Sequence, residues 1–382
     1  MAEPVREDFT VGVEEEFLLV DAETRRLVPR AATVVPEARP AAGRYPPLRG
    51  RHGLGAQVEH ELQLSQVETG TGVCRTLAEV SEELVAMRRA VRIGAERQGC
   101  RTASAGTYPL ALGEGGVVTA SPAYLRLERD YQLVAREQVV CGCHVHVGVN
   151  DPEIAIQVMN RARPWLAVLR ALGVSSPFWM GEDSGYASFR TEIWSRWPTA
   201  GTPHAFSSRA DYDRLVDDLL RTGAVDAPAR IYWDLRPSAR FDTLEFRVTD
   251  ACMAVGETVM VAGLVRALVR TLHAQVSVAP SPVPRPELLR AASWRAARYG
   301  TEGELIDLDR RRSVPAAELV GRLLSFVRPA LDEAGECDLV GSQVERVLAD
   351  GTGAMRQRRA FARSGRLEDV VDLMVAETAA MP

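Results

Sequence analysis

The 382-residue chain contains no lysine; all 46 of its basic side chains are arginine. Without an amine there is no Schiff-base nucleophile, and a phosphate loop of the GxxxxGK[ST] kind is missing its cation. Protein kinase chemistry loses its strand lysine in the same way. If the chain handles ATP, it must hold phosphates with arginine and metal. Cysteine is also scarce, six residues in all, too few for a disulfide scaffold. The longest apolar stretch, 259–269, is interrupted by Arg266 and is too short to span a bilayer. The opening MAEPVREDFTVGVEEEF has no basic segment followed by an apolar one. A cytoplasmic protein with reduced thiols and no membrane partner is expected. Asp and Glu number 51, for a net charge of -5, which argues against a grip on nucleic acid.

Hydrophobic residues make up 46% and charged residues 25%, the proportions of a globular protein with room for a sizeable core. Residues 9–20, 57–69, 139–149, 231–235 and 243–249 are β-branched or alternating and are expected as strands. Residues 77–98 carry apolar side chains at Leu77, Val80, Leu84, Met87 and Val91, the spacing of an amphipathic helix. Residues 151–171 and 210–222 are expected as helices, with Asp151 as N-cap and Pro152 at the first helical position. Beyond about residue 255 the pattern is almost entirely helical: 256–275, 316–334, 341–349 and 367–378. Stretches 30–51, 111–121 and 183–203 are expected as loops. Strands and helices do not alternate regularly, so an α+β fold with a mixed or antiparallel sheet is expected rather than a doubly wound one. The proline-rich 280–286 marks a boundary inside a single domain 1–382, between a sheet-containing part (1–279) and a helical part (280–382).

Four segments carry chemistry. In the first, Glu14 and Glu16 share one strand face and Glu15 the other. Two carboxylates among apolar residues are costly to bury unless a cation lies between them; the alternative is a solvated edge strand. In the second, QVEHELQLSQVE, residues Glu59, Glu61, Gln63 and Ser65 alternate with Val58, Leu62 and Leu64, and Glu68 follows a change of direction. Here the plain alternative is an amphipathic strand facing water. In the third, CGCHVHVG, strand parity sends His144 and His146 one way and Cys141 and Cys143 the other, against a zinc site using all four. In the fourth, TLEFRVT, Glu245 and Arg247 share a face, with Arg236 and Arg240 upstream; a structural ion pair is the plain alternative, and the added arginines and the other carboxylates weigh against it. Hard oxygen ligands with one or two imidazoles suit magnesium or manganese. Carboxylate-bound divalent cations beside arginines are what phosphoryl transfer requires. The cysteines are expected as small buried hydrophobes.

The motifs VGVEEEFLLVD, QVEHELQLSQVETGTGVC, REQVVCGCHVHVGV, SSPFWMGEDSGYASFRTEIWSRWPTAG and LEFRVTDAC together resemble the carboxylate-amine ligases. These are the type 2 glutamate–cysteine ligases, a YbdK-like branch of the glutamine synthetase superfamily. The resemblance implies a mostly antiparallel, funnel-shaped sheet with flanking helices, metals and ATP at one end and the acyl substrate at the other. It implies Glu14, Glu16, Glu61, Glu68, His144 and Glu245 as ligands of Mg2+ or Mn2+, and Glu61 and Arg247 as catalytic. His146, Arg236, Arg240 and Arg247 are implied as nucleotide contacts, and Tyr186, Arg190, Trp194 and Arg196 as substrate contacts.

The chemistry it implies is ATP-dependent amide formation through an acyl phosphate, from a glutamate-like carboxylate and an amino acid amine. The alternative is a nucleotide- and metal-binding relative that hydrolyses an amide or only binds. A homodimer is the default oligomer.

Overall fold

The computed structural model describes residues 8–42, 57–278 and 283–380. Residues 43–51 of the expected loop and 280–282 of the proline-rich boundary lie outside them. Along the chain come β1 (Val11–Asp21), α1 (Ala31–Ala42), β2 (Gln57–His60), β3 (Gln66–Gly70), α2 (Leu77–Arg97), β4 (Cys100–Ala103), α3 (Pro122–Tyr131), α4 (Leu133–Arg136) and β5 (Gly142–Gly148). They are followed by α5 (Pro152–Ala162), α6 (Leu166–Leu172), β6 (Phe178–Trp179), β7 (Glu182–Asp183), α7 (Phe189–Trp194), α8 (Arg209–Arg221), β8 (Leu235–Pro237) and β9 (Thr243–Asp250). The remainder is α9 (Val255–Gln275), α10 (Pro286–Tyr299), β10 (Glu304–Asp307), β11 (Arg312–Pro315), α11 (Ala316–Ala334), α12 (Cys337–Asp350), α13 (Gly353–Ser364) and α14 (Leu367–Ala379).

The principal sheet has the order β2-β3-β1-β5-β9-β8, every pairing antiparallel. β1 is its hub. One edge pairs with β3; along the other, residues 11–15 pair with β5 and residues 18–21 with β4. The register lines up one face across the sheet: Glu16 stands opposite Glu68, which stands opposite Glu59, and Glu14 stands opposite His144. His146 stands opposite Glu245, which stands opposite Arg236. Alternation places Val13, Val145 and Val147 on the other face, in the core with α9. Fifteen residues of α9 are buried, so this helix is core. Among the described residues no helix is long and apolar enough to cross a membrane.

Several elements depart from the sequence expectations. The strand expected over 57–69 is two strands, because residues 61–65 leave the ladder: Gln63 reaches the Ala135 carbonyl at 3.0 Å and the Leu64 N–H donates to Val117. The strand expected at 231–235 begins only at Leu235. Residues 31–42 are helical rather than loop; Ala31, Val34, Val35 and Ala38 form one buried face in a cluster shared with α2. The long helix expected at 151–171 is split by a 3-10 turn at Arg163–Trp165, where Pro164 has no N–H to donate. α7 interrupts the loop expected at 183–203, and the β10–β11 hairpin interrupts the helical C-terminal part.

On the core side of β1, Glu15 is fully buried against Arg88 of α2. Arg88 donates to Glu15 through Nε at 2.9 Å and Nη2 at 2.6 Å, and to the carbonyls of Met253 and Cys252 at 2.8 and 2.9 Å. The Thr258 hydroxyl donates to Glu15 at 2.6 Å. One fork thus ties the hub strand to α2, to α9 and to the chain leaving β9. Removing one member of such a pair strands a buried charge, which costs about 3–5 kcal/mol. Arg88→Met should therefore lower stability by about that amount, whereas the Glu15→Leu/Arg88→Met double variant should recover part of it. Urea denaturation of both variants checks this; equal losses in the two would contradict it.

Candidate active site

The polar face of the sheet brings together carboxylates, imidazoles and arginines from β1, β3, β5 and β9. Glu14 faces both histidines: His144 Nδ1 lies within hydrogen-bond distance, 3.0 Å from its Oε2, and His146 Nε2 makes a charge contact 3.3 Å from its Oε1. Two groups have potential ligand atoms all within 4.8 Å of one another: Glu14, His146 and Glu245; and Glu14, Glu68 and His144. Glu14 belongs to both. Glu16 lies beside the second, with Oε1 3.7 Å from His144 Nε2 and Oε2 accepting from the Gly142 N–H at 2.7 Å. Glu61, just past β2, interacts with Glu68 through its side chain.

The local register explains how β9 contributes twice. Between Cys143 and Val145 the β5–β9 pairing shifts, so that Arg247 and Val248 both oppose His144. Such a bulge re-aims a side chain. Arg247 thereby reaches Glu245 through Nη1, and its Nη1 lies 3.5 Å from His144 Nδ1. Its guanidinium carbon lies 5.6 Å from the Trp194 ring, which also carries Arg190 at 5.4 Å.

The electrostatics are those of an anion-crowded pocket. Burial, then the charge of Glu61, pushes Glu16 up to about 8. Burial and the charges of Glu14, Glu61 and Glu16 hold Glu68 well above the usual range, and burial also raises Glu61. Burial works against ionisation of Glu14 too, but His146 and His144 outweigh it and hold Glu14 well below its ordinary value. Glu245 is likewise held low, by Arg247 and Arg236 against the effect of burial. Burial and then Arg247 push His144 down to about 4, leaving a neutral imidazole, the form that binds metal. Both histidines keep a buried Nε2 without a hydrogen-bond partner. This donor set, carboxylate oxygens with one imidazole per group, fits Mg2+ or Mn2+. No cysteine enters either group; Cys141 and Cys143 lie in apolar clusters, as strand parity required.

A cavity of about 270 Å3 extends from this cluster and is lined by Glu14, Glu68, His146, Asn150, Arg240 and Phe241, among others. Arg240 is exposed at its wall. His146, expected as a phosphate contact, is placed within a ligand group as well as in the cavity wall.

Arg236 is not free for a nucleotide. Its fork holds Glu245 at 2.8 and 3.1 Å, and Nη1 donates to Ala229 and Ile231 carbonyls. Of the four substrate candidates, Arg190 and Trp194 come to the cluster. Tyr186 and Arg196 do not: the Tyr186 hydroxyl accepts from Trp294 Nε1 at 3.2 Å, and Arg196 pairs with Glu137 at 2.5 Å. Unanticipated from sequence are Tyr124, whose hydroxyl is raised by Glu61 and by burial, and Tyr232, whose carbonyl accepts from Trp194 Nε1. Thr243, 3.0 Å from His146 Nδ1, was also missed. Tyr124 lies on a helix that the pattern did not reveal.

The family match and the relatives define an ATP-dependent ligase that forms a C–N bond. The comparisons then fix the family. A family model described as glutamate-cysteine ligase family 2 matches residues 10–373, and the chain belongs to that family. A Frankia alni protein with the provisional name glutamate–cysteine ligase 2-2 is 47% identical, over 97% of both chains. A Rhodopirellula baltica relative with the provisional name glutamate–cysteine ligase 2 is 41% identical, over 97% of this chain and 96% of its own. A longer Frankia casuarinae relative is 43% identical over 97% of this chain, which spans 42% of it. Among solved structures, glutamate–cysteine ligase from Francisella tularensis in complex with AMP superposes with a TM-score of 0.70 at 13% identity, covering 99% of this chain and 90% of that one. The fold is therefore that of this glutamate–cysteine ligase, an α+β fold with a mostly antiparallel sheet, as the sequence motifs implied.

The raised carboxylates make stability fall with alkalinity. A group whose folded pKa lies above its unfolded value stabilises fully below the unfolded pKa and ceases to do so as pH rises through the folded one. For Glu16 that window runs from 4.5 to about 8, and Glu61 and Glu68 act in the same sense. Glu14 and Glu245, held low, stabilise above their unfolded values and lose this only in acid. In chelator, the melting temperature should drop between pH 5 and pH 8; Mg2+ or Mn2+ should restore it, most strongly at the alkaline end. A melting curve set with no cation effect at any pH would contradict the ligand assignment.

Proposed function

We propose that the chain joins a glutamate-like carboxylate to the amine of an amino acid, with cysteine as the first acceptor to test, while converting ATP to ADP and phosphate. The observation that carries this reading is the pair of ligand groups sharing Glu14, with Arg247 directly beside them. A carboxylate resists an amine because its oxide is a poor leaving group. Transfer of the γ-phosphoryl group to the carboxylate gives an acyl phosphate, and the amine then displaces phosphate. Bound Mg2+ or Mn2+ would neutralise the phosphate oxygens and bring ATP and carboxylate together.

The chain's own residues supply the rest. Glu14, Glu68, His144, His146 and Glu245 would hold the cations, with Glu16 beside them. Arg247 is fixed by Glu245 and retains a buried Nε without an acceptor, so it can stabilise charge on the group in transfer. Glu61 stands in neither ligand group and has a raised pKa, which suits it to take the proton that the attacking amine must lose. Arg240 and Phe241, at the cavity wall, would contact the nucleotide, and Arg190 and Trp194, beside Arg247, would contact the acyl donor. The same reading carries a single catalytic domain, a cytoplasmic location and a homodimer.

Purified protein with Mg2+, ATP and glutamate should release ADP only when an acceptor amine is added, with a product heavier than glutamate by the acceptor minus water. Glu61→Gln and Glu245→Gln should each cut ADP release by at least about a hundredfold while the circular dichroism spectrum stays native. Full activity in both would remove the proposed site, and ATP binding without turnover in the parent would favour a binding role.

A further inference from the structure

Arg190 is an unusual cation. It is 3% exposed, its Nε finds no acceptor, and no carboxylate pairs with it directly among the described residues. Its Nη2 occupies the space that a side chain on Gly142 would fill, 2.3 Å from an ideal Cβ there. It lies on the Trp194 ring, next to Arg247. Two like charges near one ring require something behind them to fix their spacing.

Asp250, at the end of β9, is in that position. It is 1% exposed and both its oxygens are engaged: Oδ1 accepts from the Ser188 hydroxyl at 2.7 Å, and Oδ2 from the Ser176 hydroxyl at 2.7 Å and the Ser175 N–H at 2.8 Å. The two serine hydroxyls that donate to Asp250, those of Ser176 and Ser188, turn their lone pairs toward the first turn of α7. Ser176 accepts from the Arg190 N–H at 3.1 Å, and Ser188 is the N-cap of α7, accepting from Thr191 N–H. The packing leaves no slack, since a Cβ on Gly106 would come within 2.6 Å of the Asp250 carboxyl carbon.

We infer that Asp250 is a positioning residue for the acyl-donor end of the site: through Ser176 and Ser188 it fixes the start of α7, and so the placement of Arg190 and Trp194 relative to Arg247. β9 thereby sets both halves of the site, Glu245 and Arg247 directly and Arg190 through this relay. An amide in place of the carboxylate cannot accept from all three donors, because its NH2 is itself a donor. This inference rests on the ligase reading for its kinetic consequence and on the geometry alone for its structural one.

The test uses Asp250→Asn and, as a milder change, Ser188→Ala. Both should raise KM for the acyl donor roughly tenfold or more while KM for ATP changes less than about twofold. Amide hydrogen exchange at Arg190 and Thr191 should accelerate by a similar factor, with that of α9 unchanged. A fall in melting temperature with both KM values and the α7 exchange unaltered would reduce Asp250 to a purely structural group and overturn the inference. If the parent enzyme releases no ADP with any donor, the ligase reading fails by itself. The exchange rates then decide the relay: acceleration in both variants supports it and parental rates overturn it.

Discussion

Carboxylates on the polar face of one sheet repel one another, and the architecture around them is arranged to hold them there. Two full negative charges 4.8 Å apart, the outer spacing within each ligand group, repel by about 3 kcal/mol at an effective dielectric constant near 20. His146 and Arg247 offset part of this, and Glu16 and Glu68 avoid the rest by holding protons more tightly than usual. Protonation is a substitute for a cation. A divalent ion bound there, as proposed, would help Glu16, Glu61 and Glu68 ionise against the burial and the neighbouring carboxylates that raise them.

The scaffold that tolerates this strain is anchored from behind. Glu15, between Glu14 and Glu16 in sequence, points to the opposite side and is locked by Thr258 and by Arg88, whose guanidinium also donates to two backbone carbonyls. Three consecutive glutamates thus have two different tasks, decided by strand parity: the outer two face the site, and the middle one fastens the strand to α2 and α9. The pairing of β1 with β3 on one side and β5 and β4 on the other fixes its register over its whole length. The bulge in β9 then brings Arg247 toward His144 without disturbing Glu245.

Much of this was legible because it depends on alternation. The shared face of Glu14 and Glu16, the opposed directions of the CGCHVHVG histidines and cysteines, and the face carrying Glu245 all follow from a period of two. What escaped depends on contacts between distant segments. Arg236 was indistinguishable from a phosphate-binding arginine until the register put it opposite Glu245 and the turn before β8 brought two carbonyls to its Nη1. The helix at 31–42 was hidden by its prolines, although its buried spacing is helical once α2 is there to cover it. β4 is only four residues long and carries no alternation strong enough to mark it. The excursion at 61–65 is driven by a side-chain bond from Gln63 to Ala135, far along the chain. Family resemblance supplied the proposed roles of the site residues, but not the relay behind Arg190, since serine and aspartate at those spacings signal nothing by themselves.

The central claim is that this face is a divalent-cation site whose two ligand groups meet at Glu14. Titration of the chelator-treated protein with Mn2+, followed by the loss of the free ion's paramagnetic resonance signal, tests it most directly. The account predicts binding in the parent protein and its loss at both groups in Glu14→Gln, because one carboxylate serves each. Unchanged stoichiometry and affinity in a folded Glu14→Gln variant would contradict it.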